Sequence, residues 1–374
     1  MDYQFKGYKR NDGRAGIRNH IGVICSVVCS SVVVKEIAER VPGSIPFTHG
    51  NGCAQLGDDF KLTKNMVAGI SANPNLYSTL LVGLGCETNQ ISGLLESIPK
   101  VKPIEGIGIQ QLAGGVNTIQ KGVEITEQWA KEAAEQQRES LPLSCLNVGI
   151  LTVDMDKDSY CQVAPVIGGV VDRLVEHGAT VMMGLSQTLE PAGSALSERA
   201  VSEELKNNLQ LIGESLQRKR WKDVHNDTLT QLGFTEKERE LAVLEAEMTG
   251  TSLINSLLGY SETPTEKGLH LITVPSNIVE ALSNMASSGC NLAIVVSSRG
   301  ILAGSAAIPC MTIAPENQNE FFDELIDYKV TTESLSNQIE ALLENIIEIC
   351  SGKQTSLEKM ELGEFSIPHV GTTF

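Results

Sequence analysis

Short apolar runs recur along the chain, each closed by glycine or a polar loop and followed by a segment with helical spacing. Residues 21–28, 44–48, 79–83 and 104–109 read as buried strands, because each is a brief, mostly aliphatic run bounded by turn residues. Residues 32–40, 62–71 and 91–98 carry the apolar spacing of helices, the first with serines at its start, and a polar amphipathic helix is expected over 118–138. Strand and helix alternate, as in a parallel sheet wound with right-handed crossovers, and such sheets bind ligands outside the carboxyl ends of their strands.

A second series follows Leu141-Pro142-Leu143, which marks a boundary. Strands are expected over 146–153, 179–184, 269–274, 291–296 and 307–314, and helices over 163–177, 278–288 and 321–350. The pattern specifies an α/β protein with two Rossmann-like parallel-sheet domains. Residues 1–142 form an N-terminal domain with a basic arm and a His/Cys edge. Residues 143–374 form a second α/β domain, with a charged helical insertion at about 197–258.

Composition supports this division. A chain of 374 residues exceeds a usual single domain, and 34 glycines with only 4% aromatic residues suit many tight strand-to-helix turns. The net charge of -17 argues against nucleic acid and anionic membrane surfaces as partners, since phosphate neutralisation needs clustered Lys and Arg. The polar first residues hold no apolar leader core, and the apolar stretch over 21–34 is too short and serine-rich to span a bilayer. The nine cysteines are scattered and odd in number, as expected of free thiols in a reducing compartment, so a cytoplasmic location is expected.

The expected carboxyl ends of the first four strands carry Cys29, His49 with Cys53, Cys86 with Glu87, and Gln111. Thiolate and imidazole suit zinc or iron, which makes Cys29, His49, Cys53 and Cys86 candidate metal ligands, although their spacing matches no zinc ribbon. A competing use is a nucleophilic Cys53 or Cys86 with His49 as its base. The arm from Lys6 to Arg18 is basic in an acidic protein. It reads either as a solvated tail or as an anion clamp, because guanidinium forks match carboxylates. Arg299 reads either as a residue over the cleft between domains or as an ordinary surface arginine. Alternation of Asp154, Asp156 and Asp158 lacks the glycine and terminal Glu of a calcium loop and reads as a solvated turn.

The arm Gly7-Tyr8-Lys9-Arg10-Asn11-Asp12-Gly13-Arg14-Ala15-Gly16-Ile17-Arg18-Asn19 resembles a signature of the altronate and galactarate dehydratase family, which includes sulfolactate sulfo-lyase. The resemblance continues through Cys29, residues 49–53, 73–75, 83–87 and 111–115, and through 259–264, 298–300, Gly304 and Pro309. It implies a lyase that removes a proton α to a carboxylate and expels the β-hydroxyl, giving a 2-keto acid. That chemistry needs a base, an acid and a positive group to hold the enediolate. For that chemistry His49 and Glu87 are candidate bases by position alone, Arg14 and Arg18 of the arm are candidate catalytic groups, and Arg10, Asn19, Gln111 and Arg299 are candidate substrate contacts. It implies iron as Fe2+, with manganese or an iron-sulfur cluster as alternatives, a small anionic carboxylate as substrate, a small β-rich partner subunit, and allows a homo-oligomer. The chain departs from the family pattern at Asp154 to Ser159, at Ser186 to Glu190, and at Leu244 to Gly250, where a family lysine is absent. Those departures leave open carbon-sulfur elimination from a sulfonated hydroxy acid, and a ligand-binding relative without catalysis.

Overall fold

The computed structural model describes residues 3–214, 234–316 and 322–369. The chain begins with β1 (Gln4–Lys9) and β2 (Ala15–Gly16), then enters the first parallel sheet with β3 (His20–Cys25). There follow α1 (Ser31–Arg40), β4 (Ser44–Phe47), α2 (Gly57–Ala72), β5 (Leu76–Gly83), α3 (Ile91–Ser97), β6 (Ile104–Gly108) and α4 (Gly115–Glu135). The sheet order is β4-β3-β5-β6, with every pairing parallel. The winding reverses between β3 and β5, which opens a crevice at their carboxyl ends. The arm, read as a solvated tail or an anion clamp, builds strands: β1 pairs antiparallel with β7 (Glu139–Pro142) and with β2. Phe5, Ala15 and Ile17 bury into the core of the second domain.

The second domain comprises β8 (Asn147–Val153), α5 (Lys157–Glu176), β9 (Thr180–Leu185), α6 (Gly193–Ser197), α7 (Glu203–Glu214), α8 (Glu236–Glu247) and β10 (Ile254–Leu258). It continues with β11 (Gly268–Thr273), α9 (Ile278–Ser287), β12 (Leu292–Ser297), β13 (Cys310–Pro315), β14 (Tyr328–Val330), α10 (Leu335–Cys350) and α11 (Ser356–Lys359). The sheet order is β10-β11-β9-β8-β12-β13-β14, all parallel. The stretch expected as helical over 197–258 contains helices, but its end forms the edge strand β10; residues 215–233 lie outside the described residues. Likewise β14 occupies part of the stretch expected as helix over 321–350.

Each sheet is buried on both faces. One face of the first sheet, with Val23, Leu80 and Val82, packs on α1 and α4. Its other face, with Ile24, Phe47 and Leu81, shares a core with Leu151, Met182 and Val295 of the second sheet through α2 and α9. The far face of the second sheet packs on α5 and α10.

Between the domains lies the turn after α2. The Asn73 side chain donates to the carbonyls of Ala286 and Cys290, and that of Asn75 to Asn291 and Ala307. The arm closes over the same turn. Arg10 donates to the Pro74 and Arg18 carbonyls, and Arg14 to the Ala72 carbonyl and to Asp12. Burial lowers the Arg10 pKa to about 10. Arg18 spends all five N–H groups: two on Glu358 at 2.7 Å each, and the others on the carbonyls of Ile17, Ile349 and Lys353. Asn19 donates to the Ala133 carbonyl.

This placement corrects the sequence expectation for Arg10, Arg14, Arg18 and Asn19. They precede β3, whereas ligand-bearing loops follow it, and a six-residue strand separates the two ends by about 20 Å. Arg10 and Arg18 serve backbone carbonyls, Gln136 and Glu358, Arg14 serves Ala72 and Asp12, and the Asn19 amide nitrogen serves Ala133, all away from the carboxyl edge.

Burial by itself would raise the Glu358 pKa, but the hydrogen bonds and charge of Arg18 outweigh it and hold the carboxyl below its usual value. The stability this pair contributes is present above pH 4.5 and is lost as pH falls through the depressed folded value. Arg18→Met should cost about 2 kcal/mol in denaturant unfolding at pH 7, by leaving the partly buried Glu358 carboxylate without its guanidinium, with only the Thr355 N–H still donating to it. It should also flatten the acid limb of the stability curve. An unchanged midpoint would refute the role.

Candidate functional site

The loops at the carboxyl ends of the first sheet are knitted into one surface. After β3 the chain turns through Ser26 to Ser30, and Val28 N–H donates to the Asn51 carbonyl on the loop after β4. Thr88 N–H, on the loop after β5, donates to the Gly52 carbonyl, and Gln110 N–H, after β6, to the Leu84 carbonyl. Gly52 has φ of +101°, and a Cβ there would stand 2.5 Å from the Ser26 carbonyl oxygen, so only glycine lets the loops approach this closely.

Glu87 sits at the crevice between β3 and β5, 3% exposed. Its Oε1 accepts from the Ser26 hydroxyl at 3.0 Å and its Oε2 from Gly85 N–H at 2.6 Å. Around it Cys29, Cys53 and Cys86 stand exposed on three adjoining loops, and Gln111 is exposed on the fourth. The rim is apolar: Val28, Val32, Leu56 and Val116 are exposed, the last two at 81% each. Gln55, which sequence reasoning passed over, accepts from Gly52 N–H through Oε1, and its Nε2 is buried with no protein partner. The only signal for it is its place in the glycine-rich loop.

His49 lies beneath this surface rather than on it. Asn51 N–H donates to Nδ1 at 3.2 Å, which leaves the ring proton on Nε2 to donate to the Cys25 carbonyl at 2.9 Å. Burial lowers its pKa to about 4. Both nitrogens are therefore committed, and the ring fixes the loop's path. The C-terminal segment secures it from above: Phe365 packs edge-on to His49 and Phe47, and Asn51 donates to the Ile367 carbonyl. Ser366 N–H bonds the Ser283 hydroxyl of α9, so the segment ties the loop to the second domain.

The metal expectation does not fit these positions. Among the described residues no three His, Cys, Asp or Glu side chains converge to hold an ion. His49 also has no lone pair left to give.

The second sheet has its own carboxyl edge. Between β8, β9 and β11 lies a cavity of about 320 Å³ whose polar lining is Thr152, Asp154, Ser186, Gln187 and Ser276. Behind its wall Glu245 of α8 is fully buried, accepting from the hydroxyls of Thr152, Ser186 and Tyr160. Burial raises its pKa, against the three hydrogen bonds. Arg299 stands 67% exposed at the end of β12, with Nε 3.6 Å from Asp154. The three stretches at which the chain departs from the family pattern thus meet at one place. Sequence reasoning did not single out Thr152, Tyr160 or Glu245. A lone acid in a charged helix carries no mark of burial.

Comparison with known proteins adds the family. The family described as D-galactarate dehydratase/Altronate hydrolase, second domain, matches residues 7–134, and that described as D-galactarate/Altronate dehydratase, C-terminal, matches residues 143–373. The chain is 26% identical to an altronate dehydratase of Bacillus subtilis, aligned over 99% of this chain and 78% of that one. It is 25% identical to the (2R)-sulfolactate sulfo-lyase subunit beta of Chromohalobacter salexigens, over 96% of each. It is 28% identical to a galactarate dehydratase (L-threo-forming) of Escherichia coli, over 94% of this chain and 73% of that one.

The buried ring of His49 makes a pH prediction. Between pH 6.5 and about 4 the unfolded chain binds a proton that the folded ring refuses, so this residue withdraws stability as pH falls through that window. NMR of the imidazole nitrogens should show the neutral Nε2–H form down to about pH 4. A titration midpoint near 6.5 would show that the ring is open to solvent.

Proposed function

The chain belongs to the D-galactarate/altronate dehydratase family, and on that premise we propose that it is a hydro-lyase that removes water from a sugar acid or small hydroxy acid to give a 2-keto acid. The observation that carries this reading is the interlocked edge of the first sheet, with Glu87 pinned at the winding reversal and exposed groups on every surrounding loop. Of the two candidate bases, geometry favours Glu87. Its carboxylate lies at the crevice, hydrogen-bonded to Ser26, whereas the His49 lone pair accepts from Asn51. In this reading Glu87 takes the proton α to the substrate carboxylate. Ser26 and Gly85 N–H hold it in place, and the amide of Gln111 meets the substrate at the mouth.

The apolar rim supports a partner. Val32, Leu56 and Val116 are spread over the surface around a polar crevice, and a small subunit seated there would cover them and exclude water from the reaction. The relative named as a subunit beta matches nearly end to end, which favours the same organisation here. Among the described residues no helix is long and apolar enough to cross a membrane. An ion held by Cys29, Cys53 and Cys86 would require their loops to close further than they do.

The test is a screen of aldonates, aldarates and sulfolactate, read as 2-keto acid or sulfite release, with a candidate small subunit supplied. Glu87→Gln should lower kcat by about 100-fold or more with a smaller change in KM, the range for losing a general base. Sulfite release with no dehydration would select carbon-sulfur elimination. Failure of every substrate would overturn the enzyme reading.

A further inference from the structure

The cavity at the carboxyl edge of the second sheet is separate from the Glu87 crevice and has a definite hydrogen-bonding polarity. Thr152 and Ser186 line it, and each has a single hydroxyl proton. Both protons are committed to Oε1 of the buried Glu245, while Tyr160 supplies Oε2. What the two hydroxyls show the cavity is therefore lone pairs. Ser186 also accepts from Leu189 N–H, which leaves it one lone pair, and Thr152 retains both. The Gln187 amide N–H is turned to Ser276, and Asp154 adds a carboxylate at the mouth. The Thr152 and Ser186 hydroxyls thus form an accepting wall, while the Ser276 hydroxyl, which accepts from Gln187, keeps its own proton to donate. A bare carboxylate or phosphate would meet acceptors on that wall. A chain of hydroxyl groups would meet partners.

We infer that this cavity is a binding site for a polyhydroxylated small molecule whose hydroxyls donate to Thr152 and Ser186, with Arg299 at the rim taking any carboxylate the ligand carries. The volume, about 320 Å³, lies at the lower end of small-molecule pockets, ~300–1,000 Å³. Glu245 is here a positioning residue: it never meets the ligand, but it fixes which way two hydroxyls point. The identification of the ligand as a hydroxy acid rests on the hydro-lyase reading above; the polarity of the site does not.

The test is binding without turnover, by calorimetry on the full chain, using gluconate, sorbitol and hexanoate as probes. Gluconate and sorbitol should bind and hexanoate should not, a comparison that needs no variant. Thr152→Val and Ser186→Ala should each weaken both hydroxylated probes about 3- to 10-fold, the range for one neutral hydrogen bond, and Thr152→Ser should restore binding. Arg299→Gln should weaken gluconate and spare sorbitol. Glu87→Gln should leave sorbitol binding unchanged, because it acts in the other crevice. Equal binding of hexanoate, no binding of either hydroxylated probe, or affinities unmoved by the Thr152 and Ser186 variants would overturn the inference. The two readings fail separately: lost sorbitol binding in Thr152→Val with no substrate ever turned over removes the hydro-lyase and keeps the site. Dehydration together with sorbitol and gluconate affinities that neither variant moves removes the site and keeps the hydro-lyase.

Discussion

The turn from Ala72 to Leu76 lies between the two domains with its backbone carbonyls hydrogen-bonded to cationic side chains, as buried carbonyls must be. Arg14 serves the carbonyl of Ala72, Lys102 those of Asn73 and Leu76, and Arg10 that of Pro74. The asparagine side chains of the same turn reach the other way, to the ends of α9 and the start of β12. Asn291 completes the ladder by bonding Ala15 and Asn147. A cluster of cations at this seam is therefore a set of donors for carbonyls, and the acidic surface elsewhere has no bearing on it.

That seam fixes the direction of both sheets. α2 and α9 each begin at a carboxyl edge, one after β4 and one before β12, and they meet with their last turns together. Gly69 approaches the Ser287 carbonyl so closely that a Cβ would lie 2.2 Å from it, and Asn73 bonds the residues that end α9. Packed in parallel through this contact, the helices carry both carboxyl edges to the same side of the molecule. The Glu87 crevice and the cavity in front of Glu245 thus open from one face, each built at a position where α/β sheets receive ligands.

The strands of both sheet interiors were legible because β3, β5, β9 and β12 are short aliphatic runs that can be satisfied only by burial on two faces. β10 and β14 were not, because edge strands are half-exposed and their polar residues blur the period. The loop level at which Cys29, Cys53, Glu87 and Gln111 emerge followed directly from the strand ends. The arginine arm was misread for a physical reason. Charge along a sequence reports what a guanidinium attracts, but not whether its nearest acceptor is a ligand or the chain's own backbone. His49 fell to the same ambiguity, since an imidazole beside glycines looks equally like a ligand and like a buried strut. Glu245 left no trace at all, because its partners Thr152, Tyr160 and Ser186 come from two strand ends and another helix.

The segment at Phe365 to Ile367 bridges the two domains, and it rests on the loop that His49 shapes. Asn51 and Ile367 are 316 residues apart, so this contact closes nearly the whole chain into a loop. During synthesis the first sheet can form early, since its strands and crossover helices are local. Its ligand-bearing edge stays unbraced until residues 365–367 have left the ribosome. The first crevice thus acquires its finished shape only once residues 365–367 are made, and a chain released before them would carry the sheet without the brace that holds its mouth in shape.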